Sequence, residues 1–163
     1  MVVSDVFLVD ETWIRIGSQE AWLWLAFEQY GRFFLGFHLS RTRNILTAEL
    51  FLQSLINRYG RRPVYSGGAD WYPAACRSLS LVHHVYDAAR GNLMERFVQY
   101  AKDLTEGFDD YFPCRKEHCR LEHVEGWLDY YMLSFNLFKR RDAFKTSPIA
   151  LLTHIIRGPK DPP

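Results

Sequence analysis

Three acidic residues far apart in the chain, Asp10, Asp70 and Glu95, stand where a carboxylate has no evident packing role. Between Val6 and Ile16 the strand period of two puts Val6, Leu8, Asp10, Thr12 and Ile14 on one face, with Phe7, Val9, Glu11, Trp13 and Arg15 on the other. Asp10 therefore sits in an apolar row, where burying a charge is costly unless it is paired or binds a cation. Asp5 and Glu11 fall on the opposite face and are poorer candidates. Asp70 follows Gly67-Gly68, whose permissive backbone lets the chain approach another group and project a side chain from a sheet edge. Glu95 lies early in a helical pattern that buries Phe97, Tyr100, Ala101 and Leu104 and leaves Glu95, Gln99, Lys102 and Glu106 as a polar stripe. Three such carboxylates would form an all-oxygen pocket, the ligand set of Mg²⁺ or Mn²⁺ rather than of a soft metal. Each residue alone has an ordinary alternative: an ion-paired or strand-end carboxylate for Asp10, a turn-former for Asp70, a solvated helix face for Glu95.

The elements that must position these residues are legible in the patterning. β-Branched and aromatic residues with turn residues between them predict strands over about Val6 to Ile16, Ala21 to Glu28 and Phe33 to Leu39, joined by turns at Gly17-Ser18 and Tyr30-Gly31. Asn44 then N-caps a helix whose apolar residues Ile45, Ala48, Phe51, Leu52, Leu55 and Ile56 recur at helical spacing up to Tyr59-Gly60. A short strand (Pro63 to Ser66), a brief helix (Pro73 to Leu79), a fifth strand (Leu81 to Tyr86) and a helix from near Asn92 follow. A C-terminal helix of about 116–141 carries Val124, Leu128, Tyr131, Met132 and Phe135 on one side. This order predicts an α/β, RNase H-like fold: a mixed five-stranded sheet, three antiparallel strands then two more, flanked by helices. Other three-layer folds accommodate the same order. If the fourth strand lies beside the first, Asp10 and Asp70 become neighbours.

Composition bounds the function without naming it. With 163 residues, 48% of them hydrophobic, the expectation is one domain spanning 1–163. The 20 Lys and Arg nearly cancel the 19 Asp and Glu, so a polyanionic partner must be argued from local positions. The longest apolar stretches fall far short of the roughly 18 to 20 residues of a membrane span. The start lacks the pattern of a secretory signal, which predicts a cytoplasmic protein. Three cysteines, Cys76, Cys114 and Cys119, form no dense disulfide framework. Cys114, His118, Cys119 and His123 have a zinc-like spacing, but on one helix Cys114 and His123 would point to opposite sides.

The wording around the three acids is more specific. Val9-Asp10-Glu11-Thr12, Ala69-Asp70-Trp71-Tyr72 and Asn92-Leu93-Met94-Glu95-Arg96 resemble the three blocks of the DDE transposases of small prokaryotic insertion sequences, with their retroviral-integrase-like, RNase H-like catalytic domain. Arg41-Thr42-Arg43, and Gly107-Phe108 with Tyr111-Phe112-Pro113, are similar to flanking blocks of that family, so the resemblance runs from about Phe7 to Asn136. Two features depart from it: the 24 residues between Asp70 and Glu95 are fewer than usual, and Ala69 stands where Thr is common. The N-terminal DNA-binding module usual in relatives is expected to be absent, with strand one beginning almost at Met1.

The resemblance implies a transposase catalytic core in which Asp10, Asp70 and Glu95 are the catalytic residues and hold two Mg²⁺ or Mn²⁺ ions for strand cleavage and strand transfer. Alternatives are a catalytically inactive remnant or DNA-binding accessory protein, and an RNase H-like nuclease that cuts without joining. The implied partners are DNA, both transposon ends and target, and further copies of the chain assembled on it. No membrane is involved, and the location is the cytoplasm, with the nucleoid. Phosphate contacts are expected from Arg41, Arg43, Arg96, Lys102, Arg115, Lys116 and Lys139-Arg140-Arg141. Trp71 and Tyr72 would either stack on an unpaired base or pack the brief helix, and Asn92 would either touch phosphate or cap its helix.

Overall fold

The computed structural model describes residues 5–16, 19–111 and 120–138, with the side chains of 104–111 outside that description. The strands β1 (Phe7–Ile16), β2 (Gln19–Glu28) and β3 (Phe33–Ser40) form an antiparallel meander in which Leu8 faces Phe27 and Ile16 faces Gln19. At the β2–β3 turn the buried Glu28 accepts hydrogen bonds from the amides of Tyr30 and Gly31. This is how a carboxylate tolerates burial: the orphan turn amides satisfy it. Arg32 completes the turn in the left-handed region, at φ 53°.

The chain then crosses over through α1 (Ile45–Tyr59) to β4 (Val64–Ser66), which lies parallel to β1 with Phe7 beside Val64 and Leu8 beside Tyr65. After α2 (Trp71–Ser78), β5 (His83–Val85) adds parallel to β4, giving the order β3-β2-β1-β4-β5. The expected mixed five-stranded sheet is thus present, and β1 is its central strand. Two helices complete the described chain, α3 (Ala88–Tyr111) and α4 (Leu121–Phe138).

Alternation along the strands produces two cores. Leu8, Ile14, Leu23, Leu25 and Phe27 pack with Met94, Phe97 and Ala101 of α3 and Val124, Leu128 and Phe135 of α4. The rings of Phe27 and Phe97 stack with centroids 3.6 Å apart. On the other face Phe7, Val9, Trp24 and Val64 pack against α1 and α2. A sheet covered on both sides needs both registers of each strand to be largely apolar, which is why β1 and β2 read as dense hydrophobic runs.

Several boundaries differ from expectation. α3 begins at Ala88 rather than near Asn92, because the Asp87 side chain accepts from the amide of Arg90 at 2.8 Å and so caps the helix earlier. Asn92 is therefore an exposed residue of the second turn and not a cap. β5 is three residues long. The expectations at Gly17-Ser18, at Cys114, Arg115, Lys116, His118 and Cys119, at Phe112-Pro113 and at Lys139-Arg140-Arg141 lie outside the described residues. Asn136 of α4 pins the outer edge of the sheet: its amide donates to the carbonyl of Phe34 and accepts from the Phe34 amide, each at 2.8 Å.

Asn44 caps α1 as expected, with extended backbone and its Oδ1 accepting from the Thr47 amide at 3.0 Å. Asn44→Ala removes this acceptor and is expected to lower stability by about 1 kcal/mol in chemical denaturation. An unchanged midpoint would show that the cap contributes nothing.

Candidate active site

Asp10 lies in the middle of β1, opposite Leu25, on the face that α3 and α4 cover. It is half-buried, and its own Oδ1 accepts from the Glu11 amide at 3.0 Å. Burial raises its pKa above the ordinary carboxylate value, the Glu11 amide counters this, and the negative charge of Glu95 raises it further; Lys102 and Arg43 pull it back down. Glu95 reaches this region from α3, where its neighbours Met94 and Phe97 are buried while Glu95 itself stays exposed. Lys102, two turns on and on the same side of the helix, brings a cation to the same field. Two carboxylates within electrostatic reach, one of them desolvated, make a place where added positive charge is favoured.

Asp70 occupies the N-cap position of α2, just past the parallel β1–β4 pair, but its side chain makes no capping hydrogen bond and is exposed. Gly68 before it has φ 90°, a conformation that favours glycine, and turns the chain from β4 toward the helix. The three expected carboxylates are thus only partly assembled. The Glu95 charge bears on Asp10, and among the described residues no three His, Cys, Asp or Glu side chains form a group that could hold a metal ion. The Asp10 and Glu95 oxygens are nevertheless of the type a hard divalent cation takes.

A family model described as a DDE domain matches residues 4–105, a segment that contains all three acids. The chain belongs to the DDE transposase family. An uncharacterized protein of Methanocaldococcus jannaschii is 27% identical over 136 residues, which are 83% of this chain and 62% of that protein. Among solved structures, the catalytic core domain of BIV integrase matches with a TM-score of 0.63 at 20% identity, covering 94% of this chain and 97% of that one. The HTLV-2 integrase catalytic core domain in complex with magnesium matches at 0.62 and 12% identity, covering 92% and 97%. A chain of the simian T-cell lymphotropic virus intasome in complex with PP2A regulatory subunit B56 gamma matches at 0.67 and 13% identity, covering 99% of this chain and 57% of that one. The chain therefore spans less than two thirds of the archaeal protein and of the intasome chain. At these identities the structural likeness establishes the fold, which is RNase H-like.

The DDE domain places the expected DNA-contacting residues in different environments. Tyr72 offers no stacking face, since it is fully buried with its ring 5.8 Å from that of Trp24. Of its two readings, core packing is the one realised. Trp71 is half-buried, and the Arg43 guanidinium lies over its ring and over that of Trp22, each at 4.2 Å from the ring centroid. Arg43, expected at phosphate, is engaged there, 3.8 Å from Glu11 Oε1. Arg41 is exposed and donates to the Glu20 carbonyl at 3.4 Å and to the Gln19 side chain. Arg96 and Asn92 are exposed on α3, and Lys102 is half-buried beside the carboxylates. A cleft of about 550 Å³ between β3, α1 and α4 includes none of these residues.

Two residues that patterning passed over shape the site. Tyr86, read as the end of a strand, donates its hydroxyl to the carbonyl of Val9, tying β5 to β1 one residue before Asp10. Burial and the nearby Asp10 and Glu11 charges hold that hydroxyl in its protonated form. Glu11, set aside as a poorer candidate, is a buried carboxylate whose side chain is 6% exposed. Its pKa is raised by burial and lowered by Tyr72, which outweighs the effects of Asp10 and Arg43. A Glu in the register of Phe7, Val9 and Trp13 was the available signal for it.

Because the folded pKa of Asp10 is raised, its charge disfavours the fold above the ordinary carboxylate range and does so no longer below it. Asp10→Asn is therefore expected to raise Tm at about pH 7 in metal-free buffer, with the gain shrinking as pH falls toward about 4. Equal melting temperatures across that range would contradict the desolvation assigned to Asp10.

Proposed function

We propose that this chain is the catalytic core of a DNA transposase, cutting DNA at an element's ends and joining the freed strand to target DNA, with Asp10, Asp70 and Glu95 as its acidic triad. The observation that carries this is the pairing of a desolvated Asp10 on the central strand with Glu95 of α3 in a chain of the DDE family. Like charges are kept near each other at a cost to the fold, and a site that binds cations is the physical reason to retain them. Asp70 is the third donor by its place in the second family block and by its uncapped, exposed carboxylate beyond the strand that neighbours β1.

Bound to these oxygens, Mg²⁺ or Mn²⁺, as a pair of ions, would activate the attacking oxygen and stabilise the leaving one. The chain's own work is to hold the donors and the scissile phosphodiester in line. Asp10 is fixed by the pairing of β1 with β2, where it lies opposite Leu25, and Glu95 by the buried face of α3. Lys102 supplies positive charge beside the carboxylates, and Arg96 and Arg41 are exposed cations suited to phosphate. Water attacks the phosphodiester and releases a 3′ hydroxyl, which then attacks a target phosphodiester in a second in-line displacement. DNA ends and target are the partners, several copies of the chain act together on them, and the place of action is the nucleoid in the cytoplasm.

A second reading is a domain that keeps the fold and binds DNA without turnover, since among the described residues no three His, Cys, Asp or Glu side chains group closely enough to hold a metal ion. Mn²⁺- or Mg²⁺-dependent nicking of a labelled duplex separates the two. The active reading expects nicking by the wild-type chain and a loss of at least about 100-fold in Asp10→Asn, Asp70→Asn and Glu95→Gln. Nicking that survives Asp10→Asn and Glu95→Gln would remove these residues from the chemistry. Recovery of a labelled 3′ end joined into plasmid DNA distinguishes a transposase from a nuclease that only cuts.

A further inference from the structure

On the face of β1 opposite Asp10, four segments meet around one guanidinium. Arg43 of the β3–α1 loop lies over the indoles of Trp22 on β2 and Trp71 at the start of α2, and faces Glu11 of β1. The loop carrying Arg43 is itself anchored: Trp24 Nε1 donates to Ser40 Oγ at 2.8 Å, and Ser40 Oγ donates to the Thr42 carbonyl at 2.8 Å. Each end of this arrangement is adjacent in sequence to a candidate ligand, since Glu11 follows Asp10 and Trp71 follows Asp70.

The cluster also contains an imbalance. Among the described residues, Trp71 Nε1 and Tyr72 Oη, both donors, and Glu11 Oε2, an acceptor, are buried without a hydrogen-bond partner. Both donors lie close enough to Glu11 to bear on its charge while missing hydrogen-bond geometry. Buried groups left unpaired are costly, and these three are chemically complementary. A small displacement of the first turn of α2 against β1 would pair them, and Asp70 would move with that turn.

We propose that Arg43, with Glu11 and Trp71, is a positioning device that sets Asp70 relative to Asp10 through contacts on the reverse face of the sheet. This rests on the carboxylate-site reading above. The guanidinium bridges β1 and α2 by its contact with the Trp71 ring and its charge to Glu11 together, a pair of roles for which a lysine is a poor substitute. Arg43 acts through Trp71 and Glu11 and does not itself touch substrate.

The test is Mn²⁺ binding by the full chain without DNA, read as loss of the free Mn²⁺ signal in electron paramagnetic resonance. In parallel, the Kd for a DNA duplex is measured by fluorescence anisotropy in EDTA at several salt concentrations. Arg43→Met is expected to weaken Mn²⁺ binding by roughly 10-fold or more, as loss of support for metal ligands does, with DNA Kd and its salt dependence unchanged. Trp71→Phe keeps a ring under the guanidinium and is expected to retain most of the affinity. Mn²⁺ binding by folded Arg43→Met as tight as wild type, or tighter, overturns the proposal. So does a fall in DNA affinity with a salt slope smaller by about one, which would make Arg43 a phosphate contact. Should Arg43→Met fail to fold, Arg43→Lys carries the test, because it keeps the charge and loses the planar guanidinium; intermediate weakening supports the device and wild-type affinity rejects it. If wild type binds Mn²⁺ no better than Asp10→Asn, the carboxylate site itself falls and the positioning role falls with it.

Discussion

The central strand β1 is hydrogen-bonded on both sides, antiparallel to β2 and parallel to β4, and both of its faces are covered by helices. Its side chains can only alternate, so the consecutive acids Asp10 and Glu11 are driven to opposite sides of the sheet and neither can turn away. Both are partly removed from water, and burial raises the pKa of each. The rest of the site follows from how the surrounding elements answer these two charges.

On one side the answer is sparse. Lys102 and the Glu11 amide offset part of the desolvation of Asp10, while Glu95 adds repulsion. A fold selected for stability alone would put an apolar residue here, as Leu8 and Ile14 are on the same face. On the other side the answer is dense: Glu11 meets a cation held over two indoles, a phenol and an indole N–H. The sheet thus carries a partly desolvated charge on each face, the one behind facing a cation through only one of its two oxygens. Functional sites commonly concentrate unfavourable electrostatics in this manner, with rigidity supplied by the surrounding scaffold.

The likeness to retroviral integrase cores at 20% identity or less has a physical explanation in the same architecture. A sheet sandwiched between helices requires apolar side chains in both strand registers and apolar stripes on the helices, and many sequences satisfy that. Family membership comes instead from the matched segment 4–105, where the acids and their neighbours sit.

How much of this was legible beforehand depended on the range of the interaction. The three meander strands and the Asn44 cap follow from local periodicity and turn chemistry, and the sequence alone determined them; the placement of β4 beside β1 was only a condition of the expected fold, and tertiary structure decided it. The two faces of β1, and with them the burial of Asp10, also follow from a period of two. Asn92 was misplaced because Asp87, five residues earlier, caps the helix instead, a contest decided by side-chain geometry. For Tyr72 and Trp71 stacking and core packing were both open, and only the packing of α2 against the sheet buried Tyr72 and set the rings of Trp71 and Trp22 against the Arg43 guanidinium. The same is true of the carboxylates: spacing nominates three, but whether their oxygens approach one another depends on how a helix and a loop seat against the sheet. Tertiary structure brought Glu95 to Asp10 and left Asp70 at the start of α2, because those distances are set by packing between segments that no local pattern encodes.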